Sequence, residues 1–272
     1  MKRPILLLTD FGLHDAYVGQ MKAVIASIAP GAPIIDLMHD VAPYAVDEGA
    51  WCLETSMAVL PEDAVVCAIV DPGVGTARKG LLVVAGGRCF VGPDNGVLSA
   101  TFSHAMRDGA AAGGSKALAR GIDVHELDSP QYKLPDPSAT FHGRDVFAPA
   151  AAHLANGVDH RLFGPPVGEV VAFPPFTGRP GAMGEINGYV VHVDRYGNLI
   201  TTVRAAELFP NFELTVGGVT IGTRVRTFAN VAAGEILCHV DSSGFIAVAV
   251  NRGSAAETTG IRRGDAVLVR CQ

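Results

Sequence analysis

Long hydrophobic runs are missing from this 272-residue sequence, whose longest apolar stretches have only the length of a β-strand. No segment is therefore expected to cross a bilayer, which takes about 20 consecutive apolar residues. The apolar run near the N-terminus is interrupted by Asp10 and no small-residue cleavage site follows it, so a signal peptide is not expected either. The chain is predicted to be cytoplasmic, with no membrane partner.

Positive charge is also in short supply, because 21 Lys and Arg residues face 27 Asp and Glu residues and the net charge is −6. The basic residues are scattered, which argues against a nucleic-acid partner. The five cysteines are odd in number and never form C-x-x-C, so they are expected to be reduced and buried. The histidines form neither H-x-x-x-H nor H-E-x-x-H, and no metal or cofactor is expected.

Two further catalytic patterns are absent. There is no G-x-S-x-G, which argues against an α/β-hydrolase with a serine nucleophile. The G-V-G-T segment lacks the Lys-Ser/Thr ending of a phosphate-binding loop. What remains is ample apolar material, 49% of residues against 18% charged, and this is typical of a chain with a large buried core.

The first half of the chain alternates strand and helix signals. Such alternation predicts a mainly parallel α/β sheet of the Rossmann-like kind. Strands are predicted at 5–8, 34–37, 65–70 and 81–85, and helices at 16–28, 46–60 and 146–154. This N-terminal α/β domain is predicted to span residues 1–168.

The pattern changes after residue 168. Residues 169–184 are rich in Pro and Gly and are interpreted as a linker. Short β-type runs separated by turn residues dominate from 185 to 272, which favours an all-β domain, either a barrel or a sandwich.

Two polar turns contain the side chains that are best suited to catalysis. The segment V-D-P-G-V-G-T-A-R, residues 70–78, offers the carboxylate of Asp71 and the guanidinium of Arg78. The segment T-F-H-G-R-D, residues 140–145, adds the imidazole of His142. These three groups can orient and polarise a water molecule, and a carboxylate can take a proton from it.

Other polar turns have both an ordinary and a functional interpretation. Asp15 can cap the first helix, and Asp10 can accept the hydroxyls of a ribose, as acids after Rossmann strands do. In V-D-R-Y-G-N, Tyr196 and Asn198 offer an aromatic face and an amide edge that suit a purine, or they simply form a hairpin turn.

Seven segments, in this order and over nearly the whole chain, resemble the S-adenosyl-L-methionine hydroxide adenosyltransferases. These S-adenosylmethionine hydrolases are related to the fluorinases and chlorinases. The segments are T-D-F-G-L-H-D-A-Y-V-G, H-D-V-A-P-Y-A-V-D-E-G-A, V-D-P-G-V-G-T-A-R, G-P-D-N-G, T-F-H-G-R-D-V-F-A-P-A-A, V-D-R-Y-G-N-L-I-T and A-V-N-R-G-S-A-A.

The resemblance implies a Rossmann-like N-terminal domain and a β-barrel-like C-terminal domain. It implies a homotrimer in which each active site lies between the N-terminal domain of one subunit and the C-terminal domain of the next. The implied reaction is hydrolysis of S-adenosyl-L-methionine, in its (R)-sulfonium form, to adenosine and L-methionine by in-line attack of water at C5′.

The resemblance also assigns roles to residues. The implied water-handling triad is Asp71, Arg78 and His142. The implied adenosine contacts are Asp10, Asp71 and Asn198, with Tyr196 and Phe228 beside the rings. The implied methionine contacts are Asp15, Asp194, Ser242 and the backbone near Val250.

The resemblance favours hydrolysis over halide chemistry. The fluorinases have Tyr in place of Asp71, and Tyr-Ser in place of His142 and Gly143. They also carry an insertion before G-P-D-N-G for which this chain has no room. One departure from the hydrolases is Ala247, where relatives often have Glu. The alternatives are a halogenase-like enzyme, a sensor that binds adenosine or S-adenosylmethionine without turnover, and a metal-dependent hydrolase that uses the acidic turns.

Overall fold

The structure, a computed structural model, describes residues 2–109, 113–119 and 121–271. The chain divides into two compact units, an N-terminal unit of Met1–Pro175 and a C-terminal unit of Phe176–Gln272. The division falls inside the Pro- and Gly-rich segment 169–184, whose first residues form a strand. Within the described ranges, no helix is both long and apolar enough to cross a membrane.

A six-stranded sheet with helices packed against it forms the N-terminal unit. The strands of this unit are β1 (Ile5–Thr9), β2 (Ile34–Met38), β3 (Val65–Ile69), β4 (Gly80–Ala85), β5 (Arg88–Pro93), β6 (Gly114–Ala117), β7 (Asp123–Glu126) and β8 (Glu169–Ala172). The helices are α1 (Tyr17–Ile28), α2 (Val46–Ser56), α3 (His104–Arg107) and α4 (Ala148–Ala155). The sheet order is β2-β1-β3-β5-β4-β7, and β6 pairs with β8 separately.

The central strands are buried because helices cover them. β2, β1, β3 and β5 run parallel, and every residue of β1 and β3 is buried, as expected for strands covered on both faces. Met21 and Ile25 of α1 share one apolar core with Leu154 of α4 and with Ile5 of β1. The predicted α/β class of this part of the chain is confirmed. The cysteines that the structure describes as free, Cys52, Cys67, Cys89 and Cys238, are all buried.

One side of the sheet is not parallel. β4 and β5 are antiparallel partners joined by Gly86 and Gly87, whose φ angles are 55° and 79°. β7 then pairs antiparallel with β4. Neither β5 nor β7 is predicted as a strand from the sequence. A Gly-Gly pair between two apolar runs is a hairpin signal, because both central residues of such a turn need positive φ.

The C-terminal unit is a curved antiparallel sheet over its own core. Its elements are β9 (Arg179–Pro180), β10 (Glu185–Val193), β11 (Leu199–Arg204), β12 (Phe212–Val216), β13 (Val219–Ile221), β14 (Ile236–Val240), β15 (Phe245–Val250), α5 (Ala255–Thr259) and β16 (Ala266–Cys271). The order is β13-β12-β16-β10-β11-β15-β14. Val190, Leu199, Val248 and Val269 are among its fully buried core residues.

Backbone hydrogen bonds nearly close this sheet into a barrel. The segment after β13 pairs with the outermost strand β14, since the Cys238 amide donates to the Thr223 carbonyl at 2.8 Å and the Val225 amide donates to the Cys238 carbonyl at 3.0 Å. Closure leaves few unpaired edge groups. The predicted barrel-like C-terminal part is therefore confirmed.

Candidate active site

Two carboxylates lie at the carboxyl ends of neighbouring strands. Asp10 directly follows β1 and Asp71 comes two residues after β3, and these strands are parallel partners. Ligands of open α/β sheets bind at this edge. Burial raises the pKa of Asp10, the Tyr44 amide that donates to its Oδ2 at 2.9 Å lowers it, and the charge of Asp71 raises it again. The two carboxylates therefore share one electrostatic environment.

Arg78 ties Asp71 to His142. Its Nε donates to Asp71 Oδ1 at 2.9 Å, its Nη2 donates to Asp71 Oδ2, and the same Nη2 lies 2.9 Å from His142 Nδ1. The Arg78 and Asp71 side chains are only 11% and 5% exposed. The guanidinium carbon also lies 5.4 Å from the ring centre of Phe147. The structure thus brings the three residues of the expected triad into one hydrogen-bonded cluster.

The hydrogen bonds of this cluster fix the position of the His142 proton. A guanidinium only donates, so Nδ1 accepts and the imidazole proton lies on Nε2. Burial lowers the pKa of His142, the positive charge of Arg78 lowers it further, and Asp71 opposes the change. At neutral pH His142 is therefore an uncharged hydrogen-bond donor through Nε2.

Protonation of His142 should make stability depend on pH. The unfolded chain binds a proton at this residue near pH 6.5, whereas the folded site, with its lowered pKa, binds one only at lower pH. The contribution of His142 to stability is therefore complete above the unfolded pKa and is lost as pH falls towards the folded value. In urea titrations, His142→Gln should lose less unfolding free energy than the unaltered protein between about pH 7.5 and about pH 5.5. An equal loss in both proteins would contradict this assignment.

A cavity of about 340 Å³ opens beside the cluster. Asp71 and His142 line it together with three aromatic side chains, Phe11, Tyr17 and Phe141. Their ring centres lie between 5.1 and 6.0 Å apart in tilted or edge-on pairs. The sequence analysis did not single out these aromatic residues, although Phe11 and Tyr17 both belong to the T-D-F-G-L-H-D-A-Y-V-G segment. They give Asp71 and His142 an apolar wall.

His142 precedes an unusual helical turn. Gly143–Phe147 is π-helical and runs into α4, whereas the sequence predicts an ordinary helix from 146. Such π-helical insertions are frequent at functional sites. Arg144 Nε donates to Asp145 Oδ1 at 2.6 Å, and Asp145 Oδ2 accepts from the Ser138 amide at 2.8 Å. These bonds anchor the loop that carries His142.

That loop packs closely on the turn that carries Asp71. Gly75 has a φ of 78°, and a Cβ at this position would collide with the carbonyl oxygen of Ala139. Glycine meets both requirements, since it tolerates positive φ and has no Cβ. This close approach holds together the two segments that supply Asp71, Arg78 and His142.

The Asp and Asn side chains of the turn G-P-D-N-G, at the same edge of the sheet, form hydrogen bonds with backbone groups. Asp94 Oδ1 accepts from the Val171 amide at 2.8 Å, and Asn95 Nδ2 donates to the Val70 carbonyl at 2.8 Å. Asn95 therefore holds the peptide that immediately precedes Asp71. Both side chains support the site without lining its cavity.

The C-terminal unit carries a second cavity, of about 460 Å³. Its lining includes Tyr196, Asn198, Phe228 and Val250, four residues that the sequence analysis proposed for substrate binding. Tyr196 is 77% exposed and Phe228 is 40% exposed. The cavity therefore presents two aromatic side chains to solvent beside a largely buried amide.

Asp194 shapes the turn that presents Asn198. Asp194 Oδ1 accepts from the amides of Tyr196 and Asn198, each at 2.9 Å, and Oδ2 accepts from Asn198 Nδ2 at 2.8 Å. Gly197 has a φ of 78°, and a Cβ there would collide with the Ser254 side chain. The turn is thus fixed by its own carboxylate on one side and by the 250–254 segment on the other.

Four of the predicted binding residues are absent from the linings of these cavities, namely Asp10 and Asp194, described above, and Asp15 and Ser242. Asp15 is exposed just before α1, but Ala16 is the N-cap and no side chain caps the helix, so the capping interpretation of Asp15 is wrong. Ser242 is exposed in the hairpin between β14 and β15, at the end of β15 opposite Val250. The length of β15 corresponds to about 17 Å, which separates Ser242 from Val250 within one chain.

Comparisons with known proteins cover both units. The family model described as SAM hydroxide adenosyltransferase N-terminal domain matches residues 5–164, and the one described as the C-terminal domain of the same family matches residues 188–268. The first range contains Asp71, Arg78 and His142, and the second contains the turn around Asn198.

Individual relatives match almost end to end. An (R)-S-adenosyl-L-methionine hydrolase from Thermus thermophilus is 42% identical over 96% of this chain and 97% of its own length. One from Salinispora tropica is 40% identical over 97% of each chain. A fluorinase from Nocardia brasiliensis is more distant, at 26% identity over 99% of this chain and 97% of its own. The crystal structure of an uncharacterized conserved protein from Thermotoga maritima has a TM-score of 0.82 and 32% identity over 98% of this chain and 100% of that one.

Proposed function

Because the chain belongs to the SAM hydroxide adenosyltransferase family, we propose that it hydrolyses S-adenosyl-L-methionine to adenosine and L-methionine. The observation that carries this proposal is the Asp71–Arg78–His142 cluster on the wall of a cavity at the carboxyl edge of the sheet. The chain is 42% identical to a protein named (R)-S-adenosyl-L-methionine hydrolase, and we therefore assign it the (R)-sulfonium substrate.

The reaction needs a positioned water more than it needs an acid. The water oxygen forms a bond to C5′ of the ribose as the bond from C5′ to sulfur breaks. The electron pair of the broken bond stays on sulfur and gives the neutral thioether of methionine, so no proton has to be supplied to the leaving group. One proton leaves the water. Holding the water in line with the breaking bond, away from bulk solvent, then lowers the barrier.

Each residue of the cluster has a distinct task in this mechanism. Asp71 accepts a hydrogen bond from the water and takes its proton, since a carboxylate that accepts two bonds from Arg78 keeps further lone pairs. Arg78 fixes the carboxylate plane and the imidazole together. His142 donates through Nε2 because its Nδ1 is engaged by Arg78. Its role is therefore to orient polar atoms in the site.

The cavity of the C-terminal unit suits the adenosine part of the substrate. Tyr196 and Phe228 offer faces on which a purine can stack, and Asn198 offers an amide edge for its hydrogen bonds. We assign the ribose to Asp10, whose Oδ2 already accepts from the Tyr44 amide and whose burial favours a hydroxyl partner. The methionine end is assigned to Asp15 and the backbone near Val250, with Asp194 acting through the turn that it holds, whereas Ser242, about 17 Å from Val250 along β15, lies too far away to share this end.

We assign each complete site to two copies of the chain in a homotrimer. The water-handling groups all belong to the N-terminal unit, whereas the groups proposed for the purine, Tyr196, Phe228 and Asn198, all belong to the C-terminal unit. Tyr17, Tyr196 and Phe228 are large apolar side chains that are at least 40% exposed in the single chain. Covering them with a neighbouring subunit and a substrate would remove that exposed surface from water. The buried, free thiols agree with a reducing, cytoplasmic location.

Mixing two inactive variants tests the shared site. Asp71→Asn removes the carboxylate from one unit and Asn198→Ala removes the amide from the other. If each site combines units from different subunits, an equal mixture assembled together contains some sites with both units intact. Random assembly gives about one quarter of the unaltered activity. If each site lies within one chain, every site carries a lesion and activity stays at the level of the separate variants.

The reaction itself is tested by incubating pure protein with S-adenosylmethionine and following products by chromatography. Hydrolysis gives adenosine and methionine in equal amounts, and the (R)-sulfonium form should be consumed faster than the (S)-form. Binding without products identifies a sensor. A 5′-halogenated adenosine formed in the presence of fluoride or chloride identifies a halogenase. Loss of all activity on chelation identifies a metal-dependent hydrolase.

A further inference from the structure

A group of ligating side chains lies outside the site described above. Asp123 and His125 are two residues apart on β7, and His160 comes from the loop after α4. Among the described residues, these three form a group whose ligand atoms all lie within 4.8 Å of one another. Neither the sequence motifs nor the proposed reaction uses them. The D-x-H spacing with a remote third residue does not match the short histidine motifs that the sequence analysis tested.

The group is far from the reacting water. β7 is the edge strand, separated from β3 by β4 and β5, which corresponds to about 14 Å at the usual spacing of strands. Across the sheet, Asp123 pairs with Val84 of β4, and Val84 pairs with Cys89 of β5. Cys89 in turn pairs with Val65 at the start of β3. Asp71 follows the other end of that strand. The group therefore lies on the order of 20 Å from the Asp71 cluster.

Both ring nitrogens of His125 lie within hydrogen-bond distance of an acceptor oxygen. Its Nδ1 lies 2.9 Å from the Gly164 carbonyl oxygen, so this nitrogen must carry a proton and donate it. Its Nε2 lies 2.8 Å from Asp123 Oδ1, and a carboxylate oxygen is also an acceptor. A neutral imidazole has only one N–H. A proton or a metal ion must therefore lie between His125 Nε2 and Asp123 Oδ1.

The surroundings match those of a metal ligand. A ligating histidine commonly donates its second ring nitrogen to a backbone carbonyl, as His125 does to Gly164. His160 Nε2 lies 2.7 Å from the second oxygen of Asp123, so both imidazoles face one carboxylate. The His125 side chain is 8% exposed while Asp123 is 44% exposed. The group thus has a fixed inner ligand and an open side through which an ion can enter.

We propose that Asp123, His125 and His160 bind a divalent transition-metal ion, with Zn²⁺ as the probe. Two imidazoles and one carboxylate suit Zn²⁺, which also takes a water as a fourth ligand. Bonds of about 2.0–2.1 Å to Zn²⁺ require ligand atoms about 3.3 Å apart in a tetrahedron. The exposed Asp123 therefore has to move outward by about 0.5 Å relative to each imidazole. The bound ion would join the edge strand β7 to the loop that carries His160.

The proposal is tested on the tag-free, full-length protein. The protein is first treated with a chelator and is then titrated calorimetrically with Zn²⁺ and, separately, with Mg²⁺. We expect one Zn²⁺ per chain, a rise in the melting temperature on loading, and no binding of Mg²⁺, which prefers oxygen ligands. His160→Gln and Asp123→Asn should each weaken Zn²⁺ binding by at least about 10-fold.

A matched control separates this group from other surface histidines. His104 Nε2 lies 3.7 Å from Glu54 and its side chain is 58% exposed, so it offers one imidazole beside one carboxylate. His104→Gln should leave Zn²⁺ binding unchanged. Hydrolysis of S-adenosylmethionine should persist in the chelated protein and in His160→Gln. Absence of Zn²⁺ binding by the unaltered protein, or equal binding by His160→Gln, would overturn the proposal and leave a proton between His125 Nε2 and Asp123 Oδ1.

Discussion

Replacing Asp71 by asparagine should lower the rate of S-adenosylmethionine hydrolysis by about 10²- to 10⁴-fold, the usual contribution of a positioned base. Asparagine keeps an oxygen that can accept from Arg78 Nε, where Asp71 Oδ1 accepts at 2.9 Å. The variant should therefore keep one of the two hydrogen bonds from Arg78 while losing its ability to take a proton. The fall should appear mainly in kcat, because the group that accepts the proton of the water is lost. Product chromatography under saturating substrate measures it.

Asparagine is preferable to alanine at this position. Arg78 is only 11% exposed, and removing the partner of a buried ion pair costs about 3–5 kcal/mol. Both variants remove the charge of Asp71, but alanine also removes both acceptor oxygens that face Arg78, so Asp71→Ala would confuse lost catalysis with lost folding more than Asp71→Asn does. Asp94→Asn is the matched control, since Asp94 also follows a strand at this edge but accepts from the Val171 amide, as asparagine can. Near-normal turnover by Asp71→Asn would show that the cluster is not the catalytic site.

Gly75→Ala should destabilise the protein and abolish most activity. The residue would have to adopt a φ of 78° and its Cβ would collide with the Ala139 carbonyl. Left-handed backbone costs an alanine about 1–2 kcal/mol, and overpacking adds about 1–3 kcal/mol, so a loss of ~3 kcal/mol is expected. Relief of the collision would move the His142 loop away from Arg78. Urea unfolding measures the first effect and product chromatography the second.

Gly31→Ala is a control that introduces the backbone strain of a positive φ without a steric collision. Gly31 has a similar φ of 82°, but a Cβ there would meet no atom within 4 Å. This variant should lose only about 1–2 kcal/mol and keep its activity. If both variants lost the same stability and activity, the close approach at Gly75 would have no special importance for the site.

Local patterns in the sequence were sufficient to predict the central strands and the polar residues at their ends. β1 and β3 read as apolar runs because both of their faces are covered; Asp10 follows β1 directly, and Asp71 comes two residues after β3. Two parallel strands end at the same edge, so their following residues must be near each other. Local patterns could not place His142 beside Arg78, since the two residues are 64 positions apart in the sequence. Family resemblance supplied that pairing.

Features that depend on tertiary contact were missed. Phe11, Tyr17 and Phe141 form the cavity wall only because the loop before α4 packs beside the start of α1. The π-helical turn at Gly143–Phe147 has no pattern of its own in the sequence. The position of Ser242 could not be predicted from its residue type either, because the antiparallel pairing of β14 and β15 places the Ser242 turn at the end of β15 opposite Val250. Hairpin geometry, not residue type, decides that separation.

The hydrogen bonding of Arg78 also sets the net charge of the proposed reaction centre. One carboxylate, one guanidinium and one uncharged imidazole together make an electroneutral group. A halide ion entering such a centre would lose its hydration and would find no net positive charge on these three side chains, so attraction to the sulfonium of the substrate would be left to offset that loss. A water molecule loses far less, because its hydrogen bonds can be replaced by Asp71 and His142. Electroneutrality thus selects the uncharged nucleophile, and it does so before any bond to carbon has formed.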